Sequence, residues 1–228
     1  MNLILLGAQG SGKGTQAQIL SERMNLKSCA SGDLLREAIA KKTAAGVAAQ
    51  PYYERGELVP DAIVVDMILD AIRERGSADG IILDGFPRTQ AQAETLDSRL
   101  GEMGERIDRV VYLDVPREML VERLSGRYIC KAHGHVWNVN SRPPAIPGVC
   151  DFDGSPLYQR SDDTGEKIAR RLDIFFSETV QLVDYYQHQG KLIRVDGTRG
   201  IDEVTVDILV GLGWQGALAG DQNERNTA

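Results

Sequence analysis

The sequence predicts an α/β fold built on a parallel sheet, and three observations predict it. An apolar run, Leu3-Ile4-Leu5-Leu6, is too short for anything but a buried strand, and it meets the glycine-rich stretch Gly7-Ala8-Gln9-Gly10-Ser11-Gly12-Lys13-Gly14-Thr15, which opens a helix-compatible segment to Met24. Two more short apolar runs, Gly80-Ile81-Ile82-Leu83-Asp84 and Arg109-Val110-Val111-Tyr112-Leu113-Asp114, each end in a carboxylate. Strands alternating with helical stretches give parallel pairing through right-handed crossovers.

The first element explains itself chemically. Backbone N–H groups close around phosphate oxygens only where Cβ atoms are missing, hence Gly7, Gly10 and Gly12. The helix that follows turns its positive end to the anion. Lys13 adds a mobile charge for β- and γ-phosphates, and the Thr15 hydroxyl is within reach of Mg²⁺ or a phosphate oxygen. The usual pattern has the hydroxyl directly after the lysine; here Gly14 intervenes.

The remaining elements follow in order. Leu26 to Ala30 is a second short strand, and Ser31-Gly32-Asp33 caps a helix through Leu34, Leu35 and Ile39. The helical stretch Ala44 to Glu54 contains Pro51, expected to kink or end it. After the loop Gly56 to Asp61 a helix runs through Ile63, Val64, Met67, Ile68 and Ile72, so residues 31–60 form a helical excursion from the sheet. Asp84 ends its strand where phosphate-loop proteins place a carboxylate beside hydrated Mg²⁺, and the turn Gly85-Phe86-Pro87-Arg88 carries an arginine out of the strand's carboxyl end, where open α/β sheets bind ligands. Helices over Thr89–Met103 and from Pro116 to Leu124 flank the strand Arg109–Asp114. Between Gly126 and Asp163 prolines, glycines and short aromatic or β-branched runs mark a small β-rich insertion. A long helical region from about Asp162 to Gln189, a strand from Lys191 to Val195 and a helix from Gly200 to Leu212 complete the pattern, and the polar tail beyond is expected to fray.

With 228 residues, 42% hydrophobic and 26% charged, the chain suits one globular domain with insertions. A net charge of −7 argues against a nucleic-acid surface, so basic residues that matter are concentrated at a site. No apolar run approaches a membrane span, the start lacks the pattern of a signal peptide, and the expected location is the cytoplasm. Three cysteines, Cys29, Cys130 and Cys150, do not suggest a disulfide framework.

Two constellations stand out. In the insertion Cys130-Lys131-Ala132-His133 and Cys150-Asp151-Phe152-Asp153 place two ligand pairs, each at a two-residue gap, which suits a closed structural Zn²⁺ site of Cys130, His133, Cys150 and Asp153; His135 and Asp151 rank lower. The competing reading is a metal-free lid held by hydrogen bonds among the same positions. His188 reads as an exposed helix residue. The second constellation is arginine: Arg36, Arg88, Arg123, Arg127, Arg160 and Arg171 sit at element ends or next to loops in an acidic chain, a clamp for several phosphates, though any one alone is more often a solvated charge. No nucleophile-and-base set is present, and phosphoryl transfer needs none, because alignment and charge neutralisation lower its barrier.

At this point the chain resembles the adenylate kinases, in their long-lid bacterial form. The resemblance runs from Met1 to about Leu212 through six motifs in order: Gly7 to Thr15, Ser31 to Arg36, Asp84 to Thr89, Gly126-Arg127, Tyr158 to Asp163 and Val195 to Thr198. It implies a P-loop nucleoside triphosphate hydrolase-like three-layer fold with a central parallel sheet, a helical NMP-binding insertion and a small β-rich lid. The implied division is a core of residues 1–29, 60–125 and 164–213, an AMP-binding insertion at 30–59, a lid at 126–163 and a flexible tail at 214–228. The implied reaction is ATP + AMP ⇌ 2 ADP with Mg²⁺, by a monomer.

The resemblance makes Gly10, Ser11, Gly12, Lys13, Gly14 and Thr15 the ATP phosphate cradle, with Arg127 on ATP, Arg123 against its adenine, and Val136, Trp137 and Arg199 touching the same nucleotide. AMP falls to Ser31, Arg36, Glu57, Leu58, Val59, Gly85, Phe86, Pro87, Arg88 and Gln92, with Arg160 and Arg171 bridging the phosphates. Lys13, Arg88, Arg123, Arg127, Arg160 and Arg171 are the implied catalytic set, and Asp84 is implied to hold Mg²⁺ through water. Two departures are Ser31, commonly Thr, and Trp137, usually Tyr. The alternatives are another nucleoside monophosphate kinase or an AMP kinase using GTP, and, in a different class, a regulator or zinc-binding interaction module, for which missing transfer arginines are the signature.

Overall fold

The computed structural model describes residues 1–74 and 79–214. Five parallel strands form the central sheet in the order β2-β3-β1-β4-β8: β1 (Asn2–Leu6), β2 (Lys27–Ala30), β3 (Ile81–Asp84), β4 (Arg109–Asp114) and β8 (Leu192–Asp196). Because successive side chains leave a strand on opposite faces, β1 serves two cores. Leu3 and Leu5 pack with Ala17 and Leu20 of α1 (Lys13–Met24) and with Val204 and Ile208 of α9 (Ile201–Gly211). Ile4 and Leu6 pack on the other face with α4 (Asp61–Arg73), α5 (Gln90–Glu102), α6 (Arg117–Ser125) and α7 (Gly165–Ile174). Helices on both faces of a parallel sheet whose central strands are buried give the three-layer P-loop fold.

The two excursions leave the carboxyl edge of this sheet. One carries α2 (Ser31–Ala40) and α3 (Ala44–Arg55), which cross so closely that a Cβ on Gly46 would stand 2.1 Å from the Ala38 carbonyl oxygen. The other holds an antiparallel sheet in the order β6-β5-β7, from β5 (Arg127–Cys130), β6 (Val136–Asn138) and β7 (Leu157–Tyr158).

Two local expectations are made specific. Of the two effects expected of Pro51, ending the helix is excluded, since α3 continues to Arg55; the carbonyl that loses its bond belongs to Val47, which is exposed and so open to water. The expected helical region from about 162 to 189 is present from Gly165 to His188, but as two helices, α7 and α8 (Gln181–His188), joined by a π-helical turn, Phe175–Thr179, in which the Val180 N–H reaches back to the Phe175 carbonyl at 2.8 Å. The extra residue resets the register, so that Leu172 before the turn, Phe175 at its start and Leu182 and Tyr186 after it enter one core. The tail expected to fray lies, from residue 215 on, outside the described residues.

Candidate active site

Where β1 ends, Gly10 and Gly12 take φ of +86° and +101°, curling the chain into α1 with Gly12 as its left-handed N-cap. Ser11 Oγ is buried there without a partner among the described residues, a hydroxyl open to a ligand. Lys13 Nζ donates to the Ala8 carbonyl at 3.0 Å and stands 3.9 Å from Asp84 at the end of β3. Burial pulls the Lys13 ammonium down to about 8, with Asp84 opposing, and burial raises the Asp84 carboxyl, with Lys13 opposing. A buried lysine and a buried carboxylate side by side, each at the end of a rigid strand or helix, are held ready for a ligand that brings more charge.

The turn after β3 is fixed from both sides. Ser31 Oγ and Arg88 Nε both donate to the Gly85 carbonyl at 2.8 Å, and the Arg88 N–H donates to Gln92 Oε1, whose amide in turn donates to Asp61 at 2.6 Å. Burial and the neighbouring Arg171 bring the Arg88 guanidinium down to about 10. Asp163, its side chain fully buried, accepts from Arg127 Nε and a terminal nitrogen at 2.8 and 2.6 Å and from Arg171 at 3.3 Å; Arg171 also meets Asp162 at 3.0 Å. Arg160 Nε is buried without an acceptor among the described residues, and burial lowers the Arg160 pKa, as do Arg36 and Arg127. Arg36 pairs with Asp33 on α2.

One cavity of about 540 Å³ gathers these groups. Its walls include Gly10 to Thr15 from the loop and α1, Ser31 and Arg36 from α2, Glu57 to Val59 before α4, Asp84 to Arg88 and Gln92 from the turn after β3, and Arg171 from α7. From the side of the small sheet come Arg123, Arg127, Val136, Trp137 and Arg160, and from the last loop Arg199. Every residue singled out in the sequence for nucleotide contact therefore lines one space. The sequence reasoning gave no role to Asp162 and Asp163, although both stand in the motif Tyr158 to Asp163, and it missed Arg142; two carboxylates directly after Arg160 were a usable signal that the arginines are held by counter-charges.

The insertion holds a second cluster. Cys130, His135, Cys150 and Asp153 each offer a ligand atom, all within 4.8 Å of one another. This corrects the ligand set drawn from spacing, which named His133. The turn after Cys130, with Gly134 at φ +73°, brings the chain back so that the Cys130 N–H donates to the His135 carbonyl, and His135 Nδ1 stands 3.3 Å from Cys150 Sγ. His133 instead holds Asp153 from outside, its exposed ring 2.7 Å from Oδ2, while its N–H points at Cys130 Sγ at 3.5 Å. Two thiols, an imidazole and a carboxylate at such range fit a tetrahedral d¹⁰ ion.

Among the described residues no helix is long and apolar enough to cross a membrane. The Adenylate kinase family model matches residues 5–191. Similar proteins include the adenylate kinase of Caldicellulosiruptor bescii, 46% identical over 213 residues (93% of this chain, 99% of the relative), and that of Carboxydothermus hydrogenoformans, 45% identical over 208 residues (91% and 97%). The adenylate kinase of Moorella thermoacetica is 43% identical over 217 residues, 94% of this chain and all of the relative.

Proposed function

The chain belongs to the adenylate kinase family, a nucleoside monophosphate kinase that moves a phosphoryl group reversibly between ATP and AMP, and from that premise we propose how its residues divide the work. The observation that carries the assignment is the single cavity in which a glycine-lined anion nest with Lys13 faces Arg88, Arg127, Arg160 and Arg171. Lys13 and the N–H groups from Gly10 to Thr15 hold the ATP phosphates, Arg123, Val136, Trp137 and Arg199 its nucleoside, and Arg88 with Arg36 the AMP phosphate. Ser31, Glu57 to Val59 and Gln92 shape the AMP side. Arg127, Arg160 and Arg171 lie between, where charge on the transferred group spreads over its equatorial oxygens. Asp84 and Thr15 would hold Mg²⁺, which neutralises phosphate charge when bound; the buried carboxylate beside a buried lysine fits that task.

We also propose that residues 30–59 and 126–163 move as two lids on a core of 1–29, 60–125 and 164–213, excluding the water that would otherwise accept the phosphoryl group. The lid cluster is assigned to one structural Zn²⁺ per chain, held by Cys130, His135, Cys150 and Asp153, leaving no open position for catalysis. A monomeric state and a cytoplasmic location go with this reading, tested by sedimentation and by fractionation.

The direct test is ADP disproportionation: the purified protein with ADP and Mg²⁺ produces equal ATP and AMP. A protein that binds ADP but yields neither is a regulator, not a kinase. AMP against GMP, CMP and UMP, each with ATP or GTP, then fixes base selectivity, a matter of a few hydrogen bonds.

A further inference from the structure

Arg142 belongs to none of the motifs above, yet it lines the same cavity as Arg123 and Trp137. Its position is built, not incidental. Asn138 Oδ1 accepts from the N–H groups of Asn140 and Ser141 at 2.9 and 3.0 Å, and its Nδ2 donates to the Arg123 carbonyl at 3.0 Å. The backbones of Asn138 and Arg142 pair in both directions, at 3.3 and 2.9 Å. The turn 138–142 is thereby tied to the end of the helix that carries Arg123, and it packs on Gly126, where a Cβ would stand 2.8 Å from the Asn138 and Asn140 side chains.

The turn brings the Arg142 guanidinium carbon within 5.3 Å of the Trp137 ring centroid and 6.0 Å of that of Phe152. Arg127 and Arg171 spend their donors on Asp163 and Asp162, whereas Arg142 makes no ion pair among the described residues. Trp137 is 4% exposed, and its indole N–H is buried without an acceptor among the described residues. A flat cation fixed on an aromatic platform, with its donors uncommitted, is suited to a flat, delocalised ligand and poorly suited to a lone phosphate, which the lysine and four arginines at the other end already serve.

We infer that Arg142 is a specificity-determining residue of the donor site, stacking with Arg123 on the purine base of ATP. This rests on the proposed reading of the cavity, in which the donor nucleoside lies between the glycine-rich loop and the small sheet. Trp137 sets the guanidinium plane in advance, so little rotamer entropy is lost on binding.

The test is steady-state kinetics of Arg142→Ala and Arg142→Lys, with inorganic tripolyphosphate as a competitor that lacks a base. Arg142→Ala is expected to raise the KM for ATP about five- to twentyfold while the KM for AMP stays put. Arg142→Lys, which keeps the charge without the plane, is expected to restore less than half of that loss. Tripolyphosphate is expected to inhibit wild type and Arg142→Ala with the same constant. In a Trp214→Phe background the emission of Trp137 is expected to respond to ATP, and to respond less once Arg142 is removed. An unchanged KM for ATP, full rescue by lysine, or weaker inhibition by tripolyphosphate would each overturn the inference. Failure of the wild-type protein to convert ATP and AMP would instead overturn the reading beneath it, so the two failures are distinct.

Discussion

Replacing Asp163 by Asn is the sharpest probe of how the arginine ring is held. The carboxylate takes a two-pronged grip from Arg127 at 2.8 and 2.6 Å and a third bond from Arg171 at 3.3 Å, with no exposure of its own side chain. An amide of the same shape puts an N–H₂ against one guanidinium donor and removes the counter-charge of two cations. Breaking a buried pair costs about 3–5 kcal/mol when nothing compensates. Both arginines are 16% exposed and Arg171 keeps Asp162 at 3.0 Å, so water and that second carboxylate recover part of the loss. About 2–3 kcal/mol remains, which for a chain of this size is a fall in Tm of about 4–12 °C. On the proposed reading, saturating ATP would bring anionic oxygens to the same guanidinium groups, so the deficit relative to wild type is expected to shrink by half or more when calorimetry is repeated with the nucleotide. Asp162→Asn, which loses one bond instead of three, is the milder control. A fall below about 2 °C, or a deficit that ATP leaves untouched, refutes the view that Asp163 stands in for phosphate at these arginines.

Three further outcomes follow from the same geometry. Lys13→Met and Arg88→Ala are each expected to lower turnover on the order of 10²–10⁴-fold with native circular dichroism, and an unchanged rate in either removes that residue from the mechanism. Burial places the Lys13 ammonium at about 8, so its charged form is disfavoured by folding below that pH and the penalty is relieved as pH rises toward the unfolded value. For activity the sign is opposite: if Lys13 holds the ATP phosphates as proposed, kcat/KM for ATP requires the cation and is expected to fall about tenfold per pH unit above 8, whereas a profile flat to pH 9.5 excludes a titrating Lys13. Elemental analysis of protein purified without chelators is expected to find one zinc in wild type and in His133→Ala and none in Cys130→Ser or His135→Ala; zinc retained by His135→Ala returns the ligand role to His133.

How much was legible depends on what each feature writes into the sequence. Parallel strands buried on both faces are continuous apolar runs, so β1, β3 and β4 stood out, and the glycines and lysine after β1 announced the anion nest. The π-helical turn at Phe175 left no such trace: no glycine or proline marks it, and only the packing of Leu172 and Tyr186 into one core reveals the added residue. His133 and His135 differ by two positions, and spacing favoured the former because a two-residue gap is the commonest knuckle. Which imidazole faces the cysteines is decided by the left-handed Gly134 and by pairing of Cys130 with His135, both tertiary facts. Arg142 was invisible for a similar reason, since Asn138 hydrogen bonds, not sequence neighbours, bring it onto Trp137.

The small sheet shows why a ligand cluster sits where it does. Its strands are four, three and two residues long, and the cluster at its centre is Cys130, Trp137 and Cys150, with Tyr128 and Leu157 partly covered and Ile129 of β5 buried outside it. Three short strands with so little apolar burial do not hold a shape in water on their own. Two of the three buried members of that cluster are themselves thiols, so the centre of this unit is the ligand cluster and not a conventional core. A proposed zinc there replaces the missing apolar contacts and makes the sheet rigid. Rigidity matters because Arg127 lies on β5, Trp137 on β6 and Arg142 on the turn after it. If the insertion swings as the proposed lid, one that deformed instead of moving as one piece would deliver those three side chains to the cavity out of register with the glycine-rich loop.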